Sequence, residues 1–455
     1  MHAQEENTGL SVDCKVVTTE NGYFATGQFC YFVSIAESGN ELDHIEKRIE
    51  QVGQEFKRVV CVETLQAADA RNAECFQAAN GRLRKHGNSP FTIIAKCGHI
   101  KIKRQRLLDP QTDQTMIPSA IVWETSQNRH ITEQTIQAAC AASQDVSYRK
   151  AARQLTKESG EERLIAASTV WKKKQQKGKE LQQKQDALIE QALKQPETFE
   201  SVTNASSTSK ASRVPPDTIQ LQADEVLTKS QQPGKKMNQT FTATLENAEG
   251  NCFYLVAKSS EQLIALVAVH LMMLGLFTGK RLEVISDGAR WIAEWIANFT
   301  NVEVVRVLCW YHLQKRIYEA MGAVGLAKDR RKELEHEILG HLWRGELSQA
   351  VWILWGLRST ARVPKRIDDL IGYLLRKKRW IVNYADRKSK GLWIASTRVE
   401  KWNDFAVADR CKHRGMSWTE SGVMAIALYA TEQKRFVNIP IPQITSFNPE
   451  IHTTP

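Results

Sequence analysis

Apolar and polar positions divide the chain of 455 residues into stretches of different period. Residues 1 to about 88 mix short strand-like runs with a charged helical stretch, Leu42 to Phe56, and a second helix is expected from Ala67 to His86. Strict alternation follows in Phe91-Thr-Ile-Ile-Ala-Lys and Ile100-Lys-Ile-Lys-Arg-Gln-Arg, two strands turning about Gly98 as in a hairpin. Lys101, Lys103, Arg104 and Arg106 give the second strand a basic face, suited either to phosphates or to blunting a solvated edge. From Thr132 to about Lys174 the period turns helical: Ile136 to Ala142, a second helix capped by Ser147, and a third beginning at Ala167-Ser-Thr-Val-Trp-Lys-Lys-Lys. This trio has the layout of a helix-turn-helix region, lengthened at Gly160-Glu-Glu. Lys172 to about Leu193, rich in Lys, Gln and Glu, is expected to continue as an exposed helix, and Pro196 to Pro216 has the Ser/Thr/Pro composition of a linker.

Beyond the linker, Thr218 to Thr228, Gln239 to Leu245 and Asn251 to Ala257 read as strands, and Ser260 to about Leu274 as an apolar helix. Leu282-Glu-Val-Ile-Ser is a fourth strand, Gly288 breaks into a helix through Trp291 and Trp295, and Val302 to Leu308 is a fifth strand. Three strands, helix, strand, helix, strand is the order of an RNase H-like domain, whose acids lie on strand one, after strand four and on a late helix. The fold class expected is therefore α/β: an RNase H-like catalytic core with a helical insertion, preceded by the helix-turn-helix-like region and a mixed α+β N-terminal region. The expected divisions are 1–130, 131–195, a linker at 196–216, the catalytic domain at 217–435 with its insertion at about 320–392, and a tail at 436–455.

Three carboxylates occupy the positions such a core requires: Asp224 in the first strand, Asp287 closing the fourth, and Glu400 opening a helix. Mg²⁺ is a hard cation that takes oxygen ligands, and two such ions can activate an attacking hydroxyl and stabilise a leaving oxygen. Asp224 interrupts an apolar strand with no turn signal, while its neighbour Glu225 points to the opposite face. Ser286-Asp287-Gly288 also suits a helix cap, and Glu400 in a first helical turn is favoured by the dipole alone. Asp404 and Glu420 are the alternatives to Glu400. If the three acids act together, their carboxylates must lie close enough to share one metal pair.

The charge balance of +11 favours a polyanionic partner. Much of it sits in one segment, Met321 to Lys390, with 16 Lys and Arg against 8 Asp and Glu. Arg376-Lys-Lys-Arg379 and Arg387-Lys-Ser-Lys390 in that segment are candidates for DNA backbone contact. Trp343, Trp352, Trp355 and Trp380 are expected to pack its core. In the helical trio Ser168, Thr169, Lys172, Lys173 and Lys174 suit a recognition helix, and around Glu400 the cations Arg398, Lys401, Lys412 and Arg414 suit a DNA backbone. The nine cysteines include no C-x-x-C pair, which fits free thiols in a reducing compartment. Met1 to Glu20 has no apolar core like that of a signal peptide, and Leu263 to Phe277 is too short to span a membrane; the expected location is the cytoplasm, at a bacterial nucleoid.

Four strings carry a family resemblance: Leu221-Gln-Ala-Asp-Glu-Val, Ile285-Ser-Asp-Gly-Ala-Arg-Trp-Ile, Leu308-Cys-Trp-Tyr-His-Leu-Gln-Lys and Ser396-Thr-Arg-Val-Glu-Lys-Trp-Asn-Asp. In this order they resemble bacterial insertion-sequence DDE transposases of the ISKra-like and ISLre-like groups, distantly similar to Mutator-type transposases. Lys412-His-Arg-Gly-Met-Ser-Trp-Thr resembles the segment that follows the Glu helix there. The resemblance covers roughly Phe91 to Ala430. It implies that Asp224, Asp287 and Glu400 are catalytic and hold Mg²⁺ or Mn²⁺ as two ions. Cys309 and His312 match a C/D-x-x-H motif supporting the site. The implied partners are double-stranded DNA, as terminal inverted repeats and target, with no membrane and with homo-oligomers on DNA. Glu225 departs from the pattern, standing where relatives often carry a small residue. Zinc at Cys309-x-x-His312 would require further ligands; the nearest pair, Cys411 and His413, has an unusual spacing, and the expected role of His312 is to buttress the metal site. A nuclease without strand transfer shares all three acids, and a catalytically dead DNA-binding regulator is the alternative of another class.

Overall fold

The computed structural model describes residues 10–31, 41–125, 128–194, 212–276, 279–297, 299, 302–322, 324–412 and 415–435. Most of the expected linker, the expected tail, His413 and Arg414 lie outside them. The chain divides into two units, Met1–Lys174 and Gln175–Pro455.

In the first unit β1 (Leu10–Thr19) and β2 (Gly22–Tyr31) pair antiparallel. The two expected helices are one, α1 (Glu41–Ala79), since no Gly or Pro separates Phe56 from Ala67. It stops before Asn80-Gly81, and Arg84 to His86, read as helical from the pattern, begin β3 (Arg84–Ala95). β3 pairs with β4 (Gly98–Asp109) as the expected hairpin; β5 (Gln114–Met116) and β6 (Arg129–Ile131) complete the sheet order β5-β4-β3-β6, with α2 (Pro118–Val122) between them. The period of two corrects the basic face of β4: Lys101 and Lys103 are exposed, whereas Arg104 is on the other face and buried. Its guanidinium lies 3.8 Å from the centre of the Phe91 ring and donates to Thr125 Oγ1. The helical trio is α3 (Glu133–Asp145), α4 (Tyr148–Ser159) and the start of α5 (Ala167–Lys194). Thr132 and Ser147 cap α3 and α4 by accepting the Thr135 and Lys150 N–H groups, and Gly160, at φ +70°, ends α4.

The second unit is a mixed α/β body. β7 (Thr218–Lys229), β8 (Met237–Asn247) and β9 (Cys252–Ala257) form an antiparallel meander, and α6 (Ser260–Met273) leads to β10 (Arg281–Ser286). After α7 (Arg290–Ile296), β11 (Val304–Leu308) adds to the edge. The order is β11-β10-β7-β8-β9, with β10 parallel to both β7 and β11. The run from the first of these strands to the fifth lies within a few residues of where periodicity puts it, because each strand carries a run of β-branched and apolar residues bounded by turn residues. α6 buries Leu263, Leu266, Val267 and Leu271 in the same core as Ile219, Leu221 and Val284.

Helices α8 (Trp310–Met321), α9 (Lys328–Trp343), α10 (Leu347–Leu357), α11 (Pro364–Arg376) and α12 (Tyr384–Ser389) follow β11, and then come α13 (Thr397–Asn403), a π turn at Asp404–Ala408, α14 (Asp409–Cys411) and α15 (Glu420–Arg435). Trp380 is buried as expected and Trp343 is half-buried, but Trp352 and Trp355 are 78% and 62% exposed. α10 buries Ala350 and Leu354 instead, which turns the side bearing the two rings outward. The Lys/Gln-rich half of α5 is likewise not simply exposed. Gly178, Leu181 and Gln185 are buried at helical spacing, and Gln185 Nε2 donates to Val256 O. Among the described residues no helix is long and apolar enough to cross a membrane.

Candidate active site

The register of two parallel strands brings the first two acids together. Ile285 of β10 is opposite Gln222 of β7, so Asp287 and Asp224, each two residues further on, leave neighbouring strands at the same level. Asp224 is half-buried and Glu225 exposed, as the period of two requires. Gly288, at φ +76°, turns the chain immediately after Asp287. Asp287 Oδ1 accepts the Ala289 N–H at 2.8 Å. Asp287 thus braces the turn, while Ala289 stands at the N-cap of α7.

Glu400 comes from far along the chain, and the path that places it runs through β7. Gln222 Oε1 accepts the N–H groups of Arg398 and Val399, satisfying donors that the first turn of α13 leaves open. Trp402 Nε1 donates to Leu255 O, and Asn403 Nδ2 donates to Asp224 Oδ2 at 2.8 Å. Asn403 Oδ1 in turn accepts from Thr242 Oγ1. The π turn begins directly after Asn403, a local widening that recurs at functional sites. At the other side Cys309 N–H donates to Ser286 O at 2.8 Å, and Cys309 Sγ lies 3.9 Å from Glu400 Oε1. Ser396 Oγ donates to Glu400 Oε1 at 3.0 Å, and His312 Nδ1 lies 3.8 Å from the same oxygen. Strand end, helix start and α13 therefore close around one point.

Burial, with the charges of Asp287 and Glu400, pushes Asp224 up to about 6 against the Glu225 N–H and the His312 charge. Contact with Cys309, together with the charges of Asp224 and Asp287, pushes His312 up to about 9 against the opposing effect of burial. Burial alone would raise the Cys309 thiol, as the apolar run before it suggests, but His312 and Ser396 outweigh it and hold the thiol below its ordinary value. The charges of Asp287 and Glu400 act on Asp224, but among the described residues the potential ligand atoms that come within 4.8 Å of one another are those of Cys309, His312 and Glu400 rather than those of the three acids. The oxygen donors of Asp224, Asp287 and Glu400 are of the kind that suits a hard cation.

A pH dependence follows. The native state holds the Asp224 proton up to about pH 6, whereas the unfolded chain releases it near the ordinary carboxylate value of about 4. Between those values the native state carries more protons, so stability falls as pH rises. Relative to Asp224→Asn, the metal-free protein should lose thermal stability from about pH 4 to about pH 6. Mg²⁺ should restore it only above that range. An equal Mg²⁺ shift in melting temperature at both ends would remove Asp224 as a ligand.

The other expected residues are distributed unevenly. In α11 and its end, Arg376, Lys378 and Arg379 are exposed, but Lys377 is half-buried and its Nζ donates to Gly288 O. Burial lowers Lys377 and the nearby Asp287 charge opposes that, so this lysine stands beside the second acid. Arg387 is not at the surface: it pairs with Glu283 at 2.8 Å and donates to Trp393 O. Arg398 is ion-paired to Glu246 at 2.8 Å and contacts Cys252 Sγ. Lys401 and Lys412 are exposed. Asp404 is exposed, and Glu420 pairs with Lys235. Asn403 was not singled out from sequence, although it follows Glu400 by one helical turn and so shares its face; Lys377 was read from sequence only as a candidate for DNA backbone contact.

In the first unit, Ser168 and Lys172 are exposed at the start of α5 and Thr169 and Lys173 are half-buried. Lys174 corrects the sequence reading. It is fully buried, with Nζ donating to Cys140 O and Gln144 Oε1 at 2.9 Å, because at this point α5 turns inward against α3. A basic cleft not anticipated from sequence lies beside the start of α5: Arg149, Arg153, Lys157 and Arg163 line a cavity of about 330 Å³ with Ala166 and Ala167. The spacing of 149, 153 and 157 along one helical face was the available signal.

No protein-family model matches the sequence, and no curated protein matches it. Among solved structures the chain is similar to the Drosophila P element transposase strand transfer complex, with 7% identity and a TM-score of 0.24, over 70% of this chain and 83% of that chain.

Proposed function

We propose that the chain is a DDE transposase that binds DNA ends and carries out metal-dependent strand cleavage and strand transfer. What supports this reading is that Asp224 and Asp287 stand at the same level of adjacent strands, and that the charges of Asp287 and of Glu400, on a helix more than a hundred residues later, both act on Asp224. The sheet order, with three antiparallel strands followed by two parallel ones on the far side of the first, supports an RNase H-like domain over about 217–435 with a helical insertion at about 320–392. Residues 131–195 would then be the DNA-binding region, in which the basic cleft beside α5 faces phosphate.

Asp224, Asp287 and Glu400 would hold Mg²⁺ or Mn²⁺, whose chemistry is to activate the attacking oxygen and stabilise the leaving one. The chain's own groups prepare that site. Asn403 and the Glu225 N–H fix Asp224, the Ala289 N–H fixes Asp287, and Ser396 fixes Glu400. His312 offsets part of their charge, and Lys377 lies where a phosphate approaching Asp287 would pass.

The test is cleavage of DNA carrying the terminal inverted repeats of the element, with Mg²⁺ or Mn²⁺ against EDTA. Cleavage without joining would leave the nuclease alternative, and binding without cleavage the regulator. The exposed cations of the insertion give an independent measurement. Reversing Arg376, Lys378 and Arg379 to Glu should weaken binding and reduce the slope of log K against log salt by up to about 3, since each lost phosphate contact removes roughly 0.9. An unchanged slope would mean that this face is only solvated.

A further inference from the structure

A thiol, an imidazole and a carboxylate meet at Cys309, His312 and Glu400. We infer that Cys309, His312 and Glu400 form a binding site for a borderline transition-metal ion such as Zn²⁺, with its fourth position open. Their ligand atoms all lie within 4.8 Å of one another, and Glu400 Oε1 is 3.9 Å from Cys309 Sγ and 3.8 Å from His312 Nδ1. A tetrahedral zinc ion with ordinary bond lengths sets its ligand atoms about 3.2–3.6 Å apart. For the two pairs that include Glu400, closure by a few tenths of an ångström is therefore enough.

The surroundings fit this use. Cys309 immediately precedes α8 and His312 lies in its first turn, so a rigid helix fixes their separation. Nδ1 of His312 is sealed from solvent without a well-aligned hydrogen bond, a donor atom turned into the cluster. Cys309 is fully buried and its Sγ accepts the Ser396 N–H at 3.3 Å, while Ser396 Oγ orients Glu400. Hydrogen bonds of this kind hold and tune metal-binding thiolates and carboxylates. One sulfur, one nitrogen and one oxygen select zinc-like ions over Mg²⁺, and three protein ligands with an open position mark an exchangeable site rather than a closed structural one. The two ligands that a Cys-x-x-His motif lacks in sequence would therefore not come from a second such motif: the third comes from α13 and the fourth from solvent.

The binding itself is independent of the proposed function. One consequence rests on it: Glu400 belongs to both sets, so an ion held by Cys309 and His312 withdraws Glu400 from the Mg²⁺ site and opposes cleavage.

The experiment is a titration of the reduced full chain with Co²⁺, a spectroscopic substitute for Zn²⁺. One equivalent should produce a near-ultraviolet thiolate-to-cobalt band and the intense visible bands of a four-coordinate ion. Zn²⁺ should displace it, and excess Mg²⁺ should not. Cys309→Ser should abolish the thiolate band. His312→Ala, at a partly exposed side chain, should weaken binding by more than the roughly 10–100-fold that losing an outer hydrogen-bonding partner costs a metal site. It keeps the test decisive if Cys309→Ser fails to fold. Asp224→Asn should leave the spectrum unchanged. A wild-type spectrum without the thiolate band would overturn the inference, as would a band that survives Cys309→Ser or His312→Ala, which would place the ion on other thiols such as Cys61 and Cys97.

Discussion

Asp287→Asn should lower metal-dependent cleavage of element ends by roughly three orders of magnitude or more and leave DNA binding within about twofold, because the amide preserves shape but not the charge that fixes Mg²⁺. Three orders correspond to about 4 kcal/mol of transition-state stabilisation, within what a correctly placed metal contributes. The fold should survive, since the contact that Asp287 makes within the chain is acceptance of the Ala289 N–H by Oδ1, which an Asn carbonyl can also make. Binding should survive because the exposed cations at Lys172, Arg376, Lys378 and Arg379 are distinct from the acid. Paired gel-shift and cleavage assays on inverted-repeat DNA separate the outcomes. Undiminished cleavage removes Asp287 from the chemistry, and joint loss of binding and folding returns it to the role of a turn residue.

Legibility in the sequence followed burial. β7 to β11 were readable because each carries a run of β-branched and apolar residues and several are closed by turn residues such as Gly288. The neighbouring levels of Asp224 and Asp287 follow from the pairing of β10 with β7. What escaped was set by contacts between distant segments. Lys174 looks like its neighbours Lys172 and Lys173 in the sequence, and only the packing of α5 beside Cys140 and Gln144 distinguishes it. Arg387 and Arg398 sit in basic runs, yet their partners Glu283 and Glu246 are more than a hundred residues away and unmarked by any local pattern. Trp352 and Trp355 reverse the usual preference of large rings for the interior, because α10 has a smaller pair, Ala350 and Leu354, facing inward. The Cys309-x-x-His312 spacing was visible, but its third partner was not, since Glu400 arrives by way of Gln222, Leu255 and Asp224 rather than by sequence proximity.

Gly178 was equally silent in sequence, and it carries the largest expected effect on stability. A glycine inside a helix ordinarily costs about 1 kcal/mol relative to alanine, so Gly178→Ala would be expected to stabilise α5. Here the added Cβ would lie 2.6 Å from both Cα and Cβ of Ala425 in α15. One of those atoms is backbone, so no rotamer change relieves the overlap and the two helices must move apart. Overpacking of this kind costs about 1–3 kcal/mol, which exceeds the propensity gain. The variant should therefore unfold at a lower temperature, by roughly 2–4 °C per kcal/mol for a domain of this size. The damage should also reach the site, because α15 packs against β8, β9 and the π turn that follows Asn403. A displaced π turn would loosen the Asn403 bond to Asp224. Thermal unfolding with and without Mg²⁺ measures both effects: the metal-induced rise should shrink along with the melting temperature. A raised melting temperature would mean that helix propensity governs Gly178 and that the close approach to Ala425 has no energetic weight.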